Sequence, residues 1–225
     1  MRKTIGFFAL TAMTTTLFAA SKDDVNKRLD EAAAVFSEIT AAPDKGIPQD
    51  LLEKAHCAVI VPGMKKGAFI VGAQYGKGFV TCRASGGGWS APAAIKMEGG
   101  SLGLQIGGSE TDVVMLVMNE RGAQKLMESQ FTLGGEGEVA AGPVGRTATA
   151  ETDAKLHAEM LSWSRSRGVF AGISLKGATL RTDQEDNEAL YGKKMDTKEV
   201  INGKVPTTPA GRRLTDMLGK YAFRG

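Results

Sequence analysis

Hydrophobic residues recur at three- and four-residue steps near the start of the chain: Val25, Leu29, Ala32, Phe36 and Ile39, with charged residues between them. This period predicts an amphipathic helix over residues 22–41, ended by Pro43 and Gly46. Leu51, Leu52 and Ala55, following Pro48, predict a short second helix over 49–56. From Cys57 the period changes. The runs CAVIV, AFIVGAQY and GFVTCR are short and β-branched, and PGMKKG and YGKG separate them. They predict strands over 57–62, 68–75 and 77–83, linked by hairpin turns into a meander. TDVVMLVM is a continuous apolar run and predicts a strand buried on both faces. Asn119 stands where it caps a helix over 120–129. An extended, bent strand is expected between Gly134 and Ala150. Residues 156–165 and 168–176 predict a further pair joined at Arg167-Gly168, and a short acidic helix follows over 183–190. After the stiff Val205–Pro209 spacer, residues 211–223 predict a last helix with Leu214, Met217, Leu218 and Tyr221 on one side. The sum is an α+β single domain: a strongly bent, mainly antiparallel, barrel-like sheet flanked by helices.

The ends divide from this body. Arg2 and Lys3 precede an uncharged apolar run from Ile5 to Phe18, followed by Ala19 and Ala20. That is the build of a secretory signal peptide, and the run is shorter than the roughly 20 residues a membrane span needs. The expected organisation is a signal peptide at 1–20, a domain at 21–192 and a tail at 193–225. The expected location is exported, periplasmic or secreted, and peripheral to a membrane. Without Arg2 and Lys3 the chain has 26 basic against 25 acidic residues, so overall charge names no partner. Glycine is the compositional outlier, 29 of 225, and without a three-residue period it fits bulges and close strand packing rather than collagen. Aromatics are only 6%, too few for nucleic-acid stacking platforms.

Cys57 and Cys82 are the two cysteines. In the three-strand meander they flank a shared neighbour, and two strand spacings of about 9–10 Å exceed ordinary disulfide reach. Two cysteines with only His56 and His157 make no structural zinc site. There is no G-x-S-x-G elbow and no Walker motif. The glycines at 103, 107 and 108 lead into another strand rather than a phosphate-cradling helix start. No enzyme activity, metal or cofactor is expected.

Charge is distributed unevenly. From Lys54 to Met97 there are six basic residues, Lys54, Lys65, Lys66, Lys77, Arg83 and Lys96, and no acid in 44 positions. Acids gather instead at Asp183, Glu185, Asp186 and Glu188. Lys65, Lys66 and Lys77 fall in predicted turns. One reading is a solvated basic edge that deters strand pairing. The other is a surface for anionic head groups, each basic contact contributing about 1 kcal/mol near a charged leaflet. On that reading the contacts are Lys65, Lys66, Lys77, Arg83 and Lys96. Arg165 and Arg167 are further candidates, which could equally anchor an ion pair. Small Gly, Ala and Val residues in the body favour close packing over a lipid-sized cavity, so peripheral, salt-sensitive binding is expected.

The ordered blocks IPQDLLEKAHCAVIVPGMKKGAFIVGAQYGKG, GGGWSAPAAIKMEGGSLGLQIGGSETDVVMLVMNE, VAAGPVGR, LSWSRSRGVFAGISLKGATLR and NEALYG resemble the SYLF domain family over Leu29 to Gly192. His56-Cys57 stands where a glycine is more usual after the alanine, and Trp163 replaces a usual tyrosine. The resemblance implies binding of anionic phospholipids, phosphoinositides in eukaryotic members, which also bind and bundle actin. For an exported bacterial member the implied equivalents are phosphatidylglycerol or cardiolipin. The second functional reading is a structural envelope protein that self-associates or binds a protein partner through the tail helix.

Overall fold

The computed structural model describes residues 21–41, 46–68, 72–101, 107–144, 158–166, 169–203 and 205–222. The expected signal peptide, Arg167 and His157 lie outside them. The described elements run in the order α1 (Lys22–Ala41), α2 (Gln49–Lys54), β1 (Cys57–Ala68), β2 (Gly72–Cys82), β3 (Ala93–Ser101), β4 (Gly107–Val117), α3 (Glu120–Leu126), β5 (Gln130–Thr132), β6 (Val139–Ala141), β7 (Met160–Ser166), β8 (Val169–Gly172), β9 (Ala178–Thr182), α4 (Gln184–Tyr191), α5 (Thr197–Asn202) and α6 (Pro209–Tyr221). The strands form one sheet in the order β5-β9-β3-β2-β1-β4-β7-β6, with β8 also on β7. All pairs are antiparallel except β6 with β7. Phe131 of β5 and Val139 of β6 come from opposite ends of this order, yet both join one buried cluster with Val59, Val113, Met115 and Leu180. The sheet must therefore curl into a half-barrel around that cluster.

The alternate side chains make the second core. Ala58, Ile60, Phe79, Ala94, Val114, Leu116, Leu161 and Trp163 point to the outer face. There they meet Leu29, Phe36 and Ile39 of α1 and Leu214 and Leu218 of α6. Both faces of the central strands are thus covered, which is why Val113 to Val117 are all fully buried. The apolar side of the tail helix, which the sequence left in need of a surface, is covered by α1.

The three-strand meander is corrected to two long strands. PGMKKG and YGKG are turn-like in composition, but both lie inside strands. In β1 the register shifts between Ile60 and Lys65, so Pro62-Gly63 forms a bulge rather than a turn. Gly63 has φ +58°, a conformation glycine adopts without the penalty of a Cβ. The facing β2 glycines give room to the bulged strand: a Cβ on Gly78 would lie 2.2 Å from the Ile60 carbonyl oxygen. The glycines therefore serve close strand approach, not reversal. Lys65, Lys66 and Lys77 consequently stand in strands, not in turns.

The same correction overturns the separation expected for the cysteines. Cys57 and Cys82 are opposite each other on neighbouring strands and form a disulfide, with their Cα atoms 3.9 Å apart. Three elements were not foreseen, the first being the three-residue β5. β9 carries the weakly alternating ATLRT, and α5 is a single six-residue turn set by a capping box between Asp196 and Glu199. Asn119 does cap α3, its side chain accepting from the Gly122 N–H at 2.8 Å.

Candidate functional site

On the outer face the strands are apolar beneath α1 and become charged where they run out from under it. Lys77 and Lys96 are cross-strand partners there. Asp183, the N-cap of α4, and Asp186 in its first turn come down onto them, with 0% and 1% side-chain exposure. Lys77 Nζ lies 2.8 Å from Asp183 Oδ2 and 2.8 Å from Asp186 Oδ1. Lys96 Nζ is 3.3 Å from Asp183 Oδ1. Arg28 of α1 donates from Nη1 to Asp186 Oδ2 at 2.5 Å. Three cations from α1, β2 and β3 thus surround two buried carboxylates, tying α1 and α4 to the sheet. Burial disfavours the Asp183 carboxylate. The hydrogen bond and charge of Lys77, the Asp186 N–H and the charge of Lys96 outweigh it, and Asp183 titrates below its usual range. Burial also works against the Lys77 ammonium, but bonding to Asp183 and Asp186 holds its pKa above the usual lysine value. Two of the proposed head-group lysines are therefore held inside the fold.

Arg83 and Arg165 are also engaged internally. Arg83 donates from Nε to the Ala55 carbonyl at 2.8 Å. Its Nη2 donates to the carbonyls of Leu52, Glu53 and Ala222 at 3.2, 3.1 and 2.5 Å. It lies over the Trp89 ring, 4.8 Å from its centroid. The guanidinium thereby satisfies carbonyls at the ends of α2 and α6 together. Arg165 binds Asp112 through Nε and Nη2 at 2.9 and 2.7 Å and also pairs with Glu38 of α1. This is the ion-pair alternative expected for it.

Lys65 and Lys66 differ. Among the described residues neither forms an ion pair. Lys65 is exposed and its register partners are Tyr75 on β2 and Glu110 on β4. Tyr75 is 45% exposed, one of the few large hydrophobic residues so placed. Beside them the bulge opens a hollow of about 270 Å³, lined among others by Arg28, Glu31, Lys65, Tyr75, Lys77 and Glu110. The structure therefore brings Lys65 together with Lys77 and adds Arg28, Glu31, Tyr75 and Glu110, which sequence reasoning did not single out. Arg28 carried one signal: it borders the buried stripe of its helix, next to Leu29. Lys96 is in the ion cluster behind this hollow, while Arg83 and Arg165 serve other junctions.

Residues 98–221 match a family model described as "Ysc84: Las17-binding protein actin regulator". The chain belongs to the Ysc84 family. The SYLF blocks in the sequence point to the same family, one of actin-associated, Las17-binding regulators. Over 183 residues the chain is 34% identical to "Protein YSC84" of Saccharomyces cerevisiae, covering 80% of this chain and 39% of that protein. Over 198 residues it is 33% identical to "SH3 domain-containing YSC84-like protein 1" of Xenopus laevis, covering 85% of this chain and 59% of that one. "LAS seventeen-binding protein 3" of the same yeast is 34% identical over 183 residues, 80% of this chain and 40% of that protein. The chain thus spans about two to three fifths of the length of these curated relatives. The Ysc84 match begins at Glu98 and runs to the last residue of α6, so it includes the buried aspartates of α4 and Glu110.

Proposed function

We propose that this chain is a non-enzymatic binding module that docks peripherally on anionic phospholipid through the strand end bearing Lys65, Lys66 and Tyr75. One observation carries the reading. Within the acid-free stretch, Lys77, Lys96 and Arg83 are bound by carboxylates or carbonyls, whereas among the described residues Lys65 and Lys66 have no ion pair, and Lys65 stands across from the exposed Tyr75. Lysine next to a half-exposed aromatic suits a membrane interface, where the ring sits at head-group level and the ammonium meets phosphate. Arg167 is a further contact on the same reading. The family descriptions, which name binding and regulation, support a non-catalytic role. The Cys57–Cys82 disulfide supports an oxidising, exported location. Among the described residues no helix is long and apolar enough to cross a membrane.

Flotation with phosphatidylglycerol-containing vesicles and with neutral vesicles of phosphatidylcholine alone tests this. The expected result is recovery only with anionic vesicles, lost at about 0.5 M salt, where charges are screened within a few ångströms. Lys65→Glu with Lys66→Glu lowers the affinity at least about tenfold, at ~1 kcal/mol per contact plus the new repulsion. Equal recovery with neutral vesicles, or binding that survives both charge reversal and high salt, overturns the reading.

The family description favours a second reading, a protein partner, with self-association in an envelope as one form of it. Co-sedimentation of the purified chain with filamentous actin, and its mass in solution by light scattering, test it. Pelleting with actin or a concentration-dependent increase in mass supports this reading; a monomer that stays in the supernatant removes it.

A further inference from the structure

We infer that the hollow beside the β1 bulge takes a zwitterionic aminophosphate head group, of the phosphoethanolamine type, rather than a polyanion. The inference rests on the lipid-surface reading above and adds, beside the anionic lipid met by Lys65 and Lys66, a second head group held in the hollow. The floor of the hollow is cationic. Arg28 and Lys77 are 23% and 22% exposed, while the aspartates that hold them are buried behind them. Solvent in the hollow therefore meets the cations and not their partners. The described contacts of the Arg28 guanidinium use Nη1 alone, and those of the Lys77 ammonium use two of its three N–H groups. Donors remain for a phosphodiester, and the internal ion pairs fix both side chains in place beforehand.

The rim is mixed, two carboxylates with one ammonium. Glu31 and Glu110 line the same hollow as Lys65 and Tyr75, and Glu110 is the register partner of Lys65 on the next strand. A polyanionic head group would meet a floor whose two cations, Arg28 and Lys77, are already balanced by Asp186 and Asp183, and two rim carboxylates against the single ammonium of Lys65. A monoanionic phosphodiester carrying a primary ammonium meets both halves. Its phosphate lies over Arg28 and Lys77, and its ammonium donates to Glu31 or Glu110. At about 270 Å³ the hollow is near the small end of ligand sites, sized for a head group and not for acyl chains.

Soluble head groups test the hollow without any membrane. The whole chain is titrated with glycerophosphoethanolamine, glycerophosphocholine, glycerophosphoglycerol and inorganic phosphate at low ionic strength. Amide NMR shifts at Gly63, Gly76 and Lys77 are followed. Saturable shifts with the ethanolamine ester are expected, about tenfold tighter than with the other three, because only it brings ammonium N–H donors to the rim. Glu31→Gln with Glu110→Gln, two exposed rim changes, should keep the melting temperature and abolish that preference. Equal affinities for the esters, a preference that persists in the glutamine variant, or tighter binding of inorganic phosphate overturns the proposal. A second arm adds phosphatidylethanolamine to vesicles of constant phosphatidylglycerol content. Stronger binding by the native chain, but not by the glutamine variant, identifies the ligand as a membrane lipid. Ester binding with no such gain assigns the hollow to a free phosphoethanolamine ester instead. Phosphatidylglycerol binding that disappears in K65E/K66E but persists in E31Q/E110Q separates the surface reading from this one.

Discussion

Lys65 and Lys77 stand on neighbouring strands, within one acid-free stretch and beside one hollow, yet their charges are held differently. Lys77 lies where α4 closes over the sheet, and two buried carboxylates hold its ammonium. Lys65 lies past the bulge, exposed at the edge of the hollow beneath α1, and among the described residues no carboxylate pairs with it. The difference teaches that a run of like charge along a chain says little about the surface it makes. A cation under a packed layer must be paired there, because an unpaired buried charge costs several kcal/mol. At a strand end no such demand arises, and the charge remains available to a ligand.

The sharpest break of this comparison is Lys77→Ala against Lys65→Ala. The first leaves Asp183 and Asp186 without their shared partner and should cost about 3 kcal/mol in urea unfolding. The second should fall within about 0.5 kcal/mol of the native chain, as exposed substitutions do. Equal costs would dissolve the distinction. Replacing both Cys57 and Cys82 by alanine removes the crosslink common to the two lysine-bearing strands. At a sequence separation of 25, about 3 kcal/mol of chain-entropy stabilisation is lost, read as a lower melting temperature.

Arg83→Met extends the contrast to the far end of β2. It strands carbonyls at the ends of α2 and α6 and should cost about 2 kcal/mol. Hydrogen exchange should be faster in α6 before the strands are affected. If exchange in α6 does not change, Arg83 is not a clasp.

A smaller effect concerns pH. Asp183 titrates lower in the folded chain than its unfolded value of 3.8. Its contribution is complete above that value and is lost as pH falls through the lower folded one. Lys77 titrates above 10.5 when folded, so its contribution is complete below that value and fades as pH rises past it. The urea midpoint of Asp183→Asn should therefore fall less steeply than the native midpoint below about pH 4. Parallel acid limbs would mean that Asp183 does not couple folding to pH. The smallest expected effect is on stability in K65E/K66E, whose thermal midpoint should hardly move while vesicle binding falls.

The sequence by itself determined the local elements that carry a strong period or a cap. The stripe from Val25 to Ile39 gave α1, the apolar run around Val113 to Val117 gave a strand buried on both faces, and Asn119 and Asp183 marked the starts of α3 and α4. It also marked the family through blocks such as GWSAP and SRSRG, and it showed Lys65 and Lys66 as candidate contacts. Tertiary structure alone decided the rest. Pro-Gly and Gly-Lys-Gly have the same composition in a turn as in a bulged strand packed on glycines, so the β1–β2 register, and with it the disulfide, depended on where Val61 and Met64 found space. β9 has too little alternation to stand out until β3 and β5 pair with it on either side. The fates of the charges were decided by residues about 90 to 160 positions away, where Asp183 and Asp186 meet Lys77, Lys96 and Arg28. Pairing across such distances leaves no local periodicity for a sequence to show, because it is the packing of α4 onto the sheet that brings the opposite charges within reach.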